Sequence, residues 1–154
     1  MVPAFPALPG VLPNPEQRLV LHAALDDGAG AIAAYERWRA GPDLMAEFDR
    51  EVFRLIPLLY DNLRRLGHTD ALTGRLKGTY RLAWAKHHRL AGQTRPILDG
   101  LLGAGIPVMA LKGAPLGLLY YGNPALRPMS DVDLVVPAAH VDAAAAILGD
   151  LGYK

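Results

Sequence analysis

Apolar residues recur with two different periods along the chain. Up to about residue 104 they fall three and four apart, the spacing of amphipathic helices. Asn14-Pro15-Glu16 reads as a helix start, with Asn as cap, Pro in the first turn and Glu at the positive end of the helix dipole. That helix runs to about Leu25 and ends at Asp26-Asp27-Gly28. An Ala-rich second helix spans about Ala29 to Arg39 and stops at Gly41-Pro42. Asp43 is the cap expected for a third, whose stripe is Leu44, Phe48, Val52, Leu55, Ile56, Leu59 and Tyr60, and Gly67 closes it. Thr69 or Asp70 caps a longer fourth helix with Leu72, Leu76, Tyr80, Trp84, Ala91, Ile97, Leu98, Leu101 and Leu102 as its stripe. Pro96 kinks or divides that helix, and Gly103-Ala104-Gly105 ends it. Residues 1–13 hold Pro3, Pro6, Pro9, Gly10 and Pro13, a composition that prevents a helix and suits an extended arm.

After Gly105 the pattern shortens. Ile106 to Leu111 is an apolar run bounded by Gly and Pro, which predicts a buried strand. Gly113 to Tyr121 predicts a short helix stopped by Gly122-Asn123-Pro124. Asp131 to Val136 predicts a second strand, with Val132, Leu134 and Val136 on its inner face. A helix opens at Pro137-Ala138-Ala139 and closes at Gly152, and Tyr153-Lys154 has the look of a third strand starting. This order predicts an α+β fold. A Pro-rich arm (1–13) precedes a helical subdomain (14–104), and a strand-helix-strand-helix unit (105–154) follows.

Composition narrows the function classes. Of 154 residues, 51% are apolar, enough for a real core, and the net charge of +1 favours no polyanionic partner. The absence of Cys excludes disulfides and thiolate metal sites and suits a reducing compartment. The first residues lack a signal-peptide pattern, and no stretch is apolar for the roughly 18 residues of a membrane span. The expectation is a soluble, cytoplasmic protein with no membrane partner.

Two stretches carry candidate chemistry. Residues two apart on a strand share a face, so Asp131 and Asp133 are expected to converge. Two carboxylates so placed repel, and a bound cation relieves this; Mg²⁺, with its oxygen ligands and phosphate partners, suits them. The plainer alternative has Asp131 capping a turn and Asp133 facing water. Lys112-Gly113 sits where the first strand passes into a helix. Gly permits close approach of a phosphate, the helix start offers free N–H groups, and Lys112 adds a positive charge. A plain strand-to-helix turn with a solvated Lys is again the alternative.

Taken together, Leu111-Lys112-Gly113-Ala114, Tyr120-Tyr121 and Leu126-Arg127-Pro128-Met129-Ser130-Asp131-Val132-Asp133-Leu134-Val135-Val136 resemble the uncharacterised NTP_transf_5 nucleotidyltransferases of the DNA polymerase β-like superfamily. Residues 98–108 and 148–153 also fit. The resemblance implies a partial nucleotidyltransferase-fold mixed sheet and Mg²⁺-dependent transfer of a nucleotidyl group from an NTP, expected to be ATP, to an acceptor. It makes Asp131 and Asp133 metal ligands and catalytic residues, and Gly113 the phosphate-approach residue. The sequence departs from the pattern in two respects. The usual Gly-Ser or Gly-Gly turn is Gly113-Ala114, so Lys112 is expected to substitute by charge for a missing hydroxyl. The third carboxylate, usual on a third strand, is not in this stretch, and family members are generally longer. The sequence is therefore expected to be the N-terminal part of such a protein. A relative that binds nucleotide or a partner protein without turnover is the alternative.

Other residues are weighed beside these. Arg127 is placed to pair with Asp131 or Asp133 or to fork onto a phosphate, and Ser130 to bond local backbone or a phosphate. With Lys112, Gly113 and Ala114 they complete the substrate-binding candidates. One of Tyr120 and Tyr121 is expected in the core. Between Arg64 and Arg95 eight Lys/Arg face one acid, Asp70. This is read as a solvated helix face, with a nucleic-acid-binding helical module as the alternative. His87 and His88 are adjacent and make no metal pair on one helix face. Trp38 and Trp84 are expected as core anchors.

Overall fold

A computed structural model describes residues 12–41 and 50–153. Residues 1–11 of the arm expected over 1–13, the cap at Asp43 and the stripe positions Leu44 and Phe48 lie outside them. The chain divides into two compact units, residues 1–77 and 78–154, with the division falling inside one long helix. The architecture is α+β: helices throughout, with two strands among the described residues.

In the first unit, helix α1 (Pro15–Leu25) starts as its sequence predicts. The Asn14 side chain accepts from the Gln17 amide, and the Gln17 side chain accepts from the Asn14 amide, a reciprocal capping box. Helix α2 (Gly28–Arg39) follows at once, and helix α3 (Arg50–Arg65) carries Pro57 inside it. The core gathers Val20 and Ala23 of α1, Tyr35 and Trp38 of α2, and Val52, Ile56 and Leu59 of α3. One polar side chain is buried with them. Asn62 donates to the carbonyls of Ala23 and Asp26, both at 2.9 Å. Those carbonyls belong to the end of α1, where no further turn of helix supplies N–H partners, so Asn62 completes the α1 terminus from α3.

Helix α4 (Thr73–Gly103) is continuous over 31 residues, so Pro96 does not divide it. Asp70 caps its start: Oδ1 accepts the amides of Leu72 and Thr73, and the Thr73 hydroxyl accepts from the Asp70 amide. Asp70 Oδ2 accepts the Tyr35 hydroxyl at 2.8 Å. Burial alone would raise the Asp70 carboxyl, but these hydrogen bonds outweigh it and hold the group below its ordinary value. The same contact, added to burial, pushes the Tyr35 phenol up.

The buried line of α4 differs from the predicted stripe. Leu76, Ala83 and Leu101 are buried, with Leu90 and Ile97 half-buried between them. These residues are seven, seven, seven and four apart, which keeps one helical face. Trp84 lies about 100° from Ala83 on a 3.6-residue helix and so falls off that face; it is 48% exposed. Ala91 and Leu102 are likewise exposed. Trp38 is buried as expected, and Trp84 is not.

In the second unit, strand β1 (Met109–Leu111) leads into helix α5 (Gly113–Leu119), and strand β2 (Asp133–Val135) precedes helix α6 (Val141–Asp150). A 3₁₀ turn at Pro124–Leu126 and another at Ala138–His140 fill the connections. Both strands are shorter than predicted, and Asp131 and Val132 lie just ahead of β2. The strands pair antiparallel, with Met109 opposite Val135, Ala110 opposite Leu134 and Leu111 opposite Asp133. A small core of Leu101, Ile106 and Ala144 collects Ile97, Val108, Val136 and Ile147 around it. Gly100 lets α6 approach α4 closely, since a Cβ there would stand 2.9 Å from Ile147 Cγ2. No described helix is long and apolar enough to cross a membrane.

Two outcomes test the first unit. Asn62→Ala leaves two carbonyls unpartnered, and the expected loss is about 1–3 kcal/mol in urea unfolding followed by Trp38 fluorescence in a W84F background. Asp70, depressed in the folded state, contributes stability above its unfolded pKa that is lost as pH falls through its lower folded value. Asp70→Asn therefore removes part of the acid-side slope below about pH 4 in thermal melts, while a slope unchanged in D70N would contradict the cap's role.

Candidate functional site

At the turn between β1 and α5, Lys112 and Asp133 meet. Lys112 is the one residue other than glycine with positive φ among those described, at φ 56° and ψ −115°. A side chain in that region costs roughly 1–3 kcal/mol, and such strain persists where surrounding structure fixes it. The turn aims the Lys112 ammonium across the sheet end. Nζ stands 2.9 Å from Asp133 Oδ2, one residue along from the Leu111–Asp133 pairing. The hydrogen bond to Asp133, then the charges of Asp133 and Asp131, push the Lys112 ammonium up from its ordinary value. Lys112 is 74% exposed and Asp133 39%, and Asp131 is exposed, so this charge cluster is open to solvent.

Gly113 has a packing role that the sequence does not reveal. A Cβ on it would lie 2.7 Å from Met129 Sδ and 2.9 Å from Met129 Cγ. Met129 therefore covers the turn from the segment leading to β2, and joins the Lys-Gly turn to the Asp-x-Asp stretch. Ala114 follows, half-buried, in the first turn of α5. Asn123, in the segment that ends α5, donates to the Tyr80 hydroxyl at 2.9 Å and accepts the Ala125 amide, fixing that connection to α4.

The remaining candidates stand apart from the cluster. Arg127 donates to the Pro128 carbonyl at 3.1 Å and pairs with neither Asp131 nor Asp133. Its backbone ends the 3₁₀ turn, and the adjacent carbonyl is the acceptor within its reach. Ser130 is exposed just before Asp131. Neither Tyr120, at 79% exposed, nor Tyr121 is in the core, because α5 ends at Leu119 and leaves both on the outer turn. Of the adjacent histidines, His87 is pushed down by burial and then by His88, while His88 Nδ1 lies 2.9 Å from the Trp84 carbonyl.

A second cluster, in the first unit, escapes sequence reasoning altogether. Glu36, His68 and Asp70 each offer a ligand atom within 4.8 Å of one another. Such a set can hold a metal ion, and its imidazole suits Zn²⁺ better than Mg²⁺. Arg39, however, already bridges the acids, 2.6 Å from Glu36 and 3.4 Å from Asp70. Asp70 is also committed to its cap. The arrangement is that of an ion-pair network compensating two carboxylates. Glu36 lies 32 positions before His68 and 34 before Asp70, and no local motif marks the group.

Comparison with protein families gives one finding: the family model described as uncharacterised nucleotidyltransferase, NTP_transf_5, matches residues 51–154. The chain belongs to this family. The match spans α3 through α6 and contains both the Lys112 turn and the Asp-x-Asp stretch. No curated protein and no solved structure matches the chain. Membership brings a nucleotidyltransferase-like domain and a nucleotide as the substrate class.

The role of Gly113 is separable by a double-mutant cycle. Gly113→Ala is expected to destabilise the second unit by about 1–3 kcal/mol through overpacking against Met129. Met129→Ala in the same chain makes room for the added methyl, so the two changes together should cost less than their sum. Strict additivity in thermal or urea unfolding would show that Met129 does not set the glycine requirement.

Proposed function

We propose that the protein is a nucleotidyltransferase that binds an NTP, with ATP as the expected nucleotide, at the β1–α5 turn. The observation that carries this reading is the Lys112–Asp133 ion pair on a strained, solvent-open turn, with Asp131 two residues before Asp133. A lysine held beside two carboxylates marks a place that already favours a positive charge. Exposed carboxylate oxygens are the donor type that Mg²⁺ takes, so Asp131 and Asp133 fit it and would hold it. Bound there, Mg²⁺ would neutralise phosphate oxygens and so supply electrostatic stabilisation of the transferring group.

The chain's own residues do the rest. With a cation held by Asp133, the Lys112 ammonium would be free to pair with a phosphate oxygen. The backbone amides that follow Lys112 at the start of α5 are the donors this reading assigns to the phosphates. Ala114 follows Gly113 in sequence and Ser130 precedes Asp131; with Arg127, whose guanidinium donates to the Pro128 carbonyl, they are the further substrate-binding candidates. In the reaction an acceptor hydroxyl oxygen would bond the α-phosphorus and lose its proton to water, while the bond from the α-phosphorus to the α–β bridging oxygen breaks and pyrophosphate leaves. A mixed sheet extended beyond β1 and β2, with a third carboxylate, would complete the catalytic set. A relative that binds nucleotide without turnover uses the same turn, and Lys112 and the two carboxylates suffice for it.

Calorimetry with Mg·ATP and transfer of labelled nucleotide test the proposal together. Asp131→Asn with Asp133→Asn is expected to lower Mg·ATP affinity at least tenfold and to abolish any transfer. Lys112→Met is expected to weaken nucleotide binding about tenfold, yet to leave the melting temperature within a few degrees, because an exposed ion pair contributes only about 0.2–1 kcal/mol. Nucleotide affinity unchanged in the double variant would reject the site. Binding without transfer in the parent chain would select the non-catalytic form.

A further inference from the structure

The exposure of Trp84 opens a second functional surface. From Ala71 to Leu98 the chain contains six Lys/Arg and no acid. Arg81, Trp84, His88 and Arg95 lie within about 60° of one another around α4, on a 100°-per-residue helix. All four are exposed; exposed Arg89 lies about 80° beyond Arg81 at the edge of this face, and exposed Lys86 lies about 160° from Trp84, beside the buried line. The buried line of Ala83, Leu90 and Ile97 faces away from them. Trp84 and His88 stack with ring centroids 3.9 Å apart and planes tilted by 31°. That stack presents an aromatic surface to solvent in the middle of a basic stripe. Arg81, Lys86 and Arg89 form no ion pair among the described residues, and Arg95 has one loose contact with Asp99 at 3.8 Å.

A core role does not explain a tryptophan that is half exposed, and a solvated charge face does not need one. A strand of unpaired nucleotides meets both features: its phosphates complement the acid-free run of cations, and a base has a flat face for the Trp84–His88 stack. We propose that this face of α4 binds single-stranded nucleic acid, with Arg81, Arg95 and, at its edge, Arg89 on phosphates and Trp84 under a base. The surface is distinct from the nucleotide turn, and its occupancy requires neither NTP nor Asp131 and Asp133.

The test is fluorescence anisotropy of the whole chain with a labelled, mixed-sequence 20-nucleotide RNA single strand, without nucleotide. The expected log–log salt slope is about −2, as for roughly three neutralised phosphates, giving a loss near 16-fold between 50 and 200 mM KCl. Arg81→Glu with Arg89→Glu should weaken binding at least tenfold. Arg18→Glu with Arg37→Glu changes the net charge equally, on exposed residues of the first unit, and should leave affinity within twofold. Trp84→Ala should weaken binding about tenfold, Trp84→Phe much less, and a 20-base-pair RNA duplex should bind at least fivefold more weakly than the single strand. Absence of binding at 50 mM KCl overturns the proposal. So does equal affinity of the two charge-reversal variants, or a Trp84→Ala chain that binds like the parent. Circular dichroism confirms that the variants keep their helices, and Trp84→Ala tests the surface independently of the charge reversals.

Discussion

The contact on which the candidate site depends is the Lys112–Asp133 ion pair. It forms because two three-residue strands meet in a register that sets Leu111 against Asp133, with Lys112 the next residue. Its own energy is too small to hold the turn. An exposed pair contributes about 0.2–1 kcal/mol, while the backbone of Lys112 costs roughly 1–3 kcal/mol. The conformation must therefore be imposed by its surroundings: β1 on one side, α5 on the other, and Met129 over Gly113. A turn held by packing, with its charges left in solvent, can exchange partners without unfolding.

Packing in the two units follows different rules. The first unit buries large side chains of three helices and ties α1 to α3 through Asn62. The second relies on close approach at small residues. Gly100 admits Ile147, Gly113 admits Met129, and the core between them is small. Its outer surfaces keep apolar and aromatic groups in solvent, among them Leu119, Tyr120 and Trp84. In the second unit, the features read as functional are also the least supported by burial.

The helices were legible in the sequence because their signals are local: Asn14-Pro15 at a start and Asp70 at a cap. The Asp-x-Asp stretch and the Lys-Gly turn were legible as well, and the family match covers both. Strand ends were less so, and Asp131 falls ahead of β2 because a short ladder supports only three residues. Trp84 was misplaced by one position on the helix, a slip of about 100° that exchanges core for solvent. The Arg127 contact, the Met129 cover and the Glu36–His68–Asp70 group depend on tertiary proximity, which no spacing rule encodes.

Paramagnetic broadening tests the Lys112–Asp133 turn most directly. Mn²⁺ with a non-hydrolysable ATP analogue, titrated into isotope-labelled chain, should broaden the backbone amides of residues 112–114 and 130–134 first in a two-dimensional NMR spectrum, with the Asp131→Asn, Asp133→Asn chain unaffected there. Broadening that centres on Glu36, His68 and Asp70, or that persists in the double variant, would contradict the assignment of the nucleotide and cation to the β1–α5 turn.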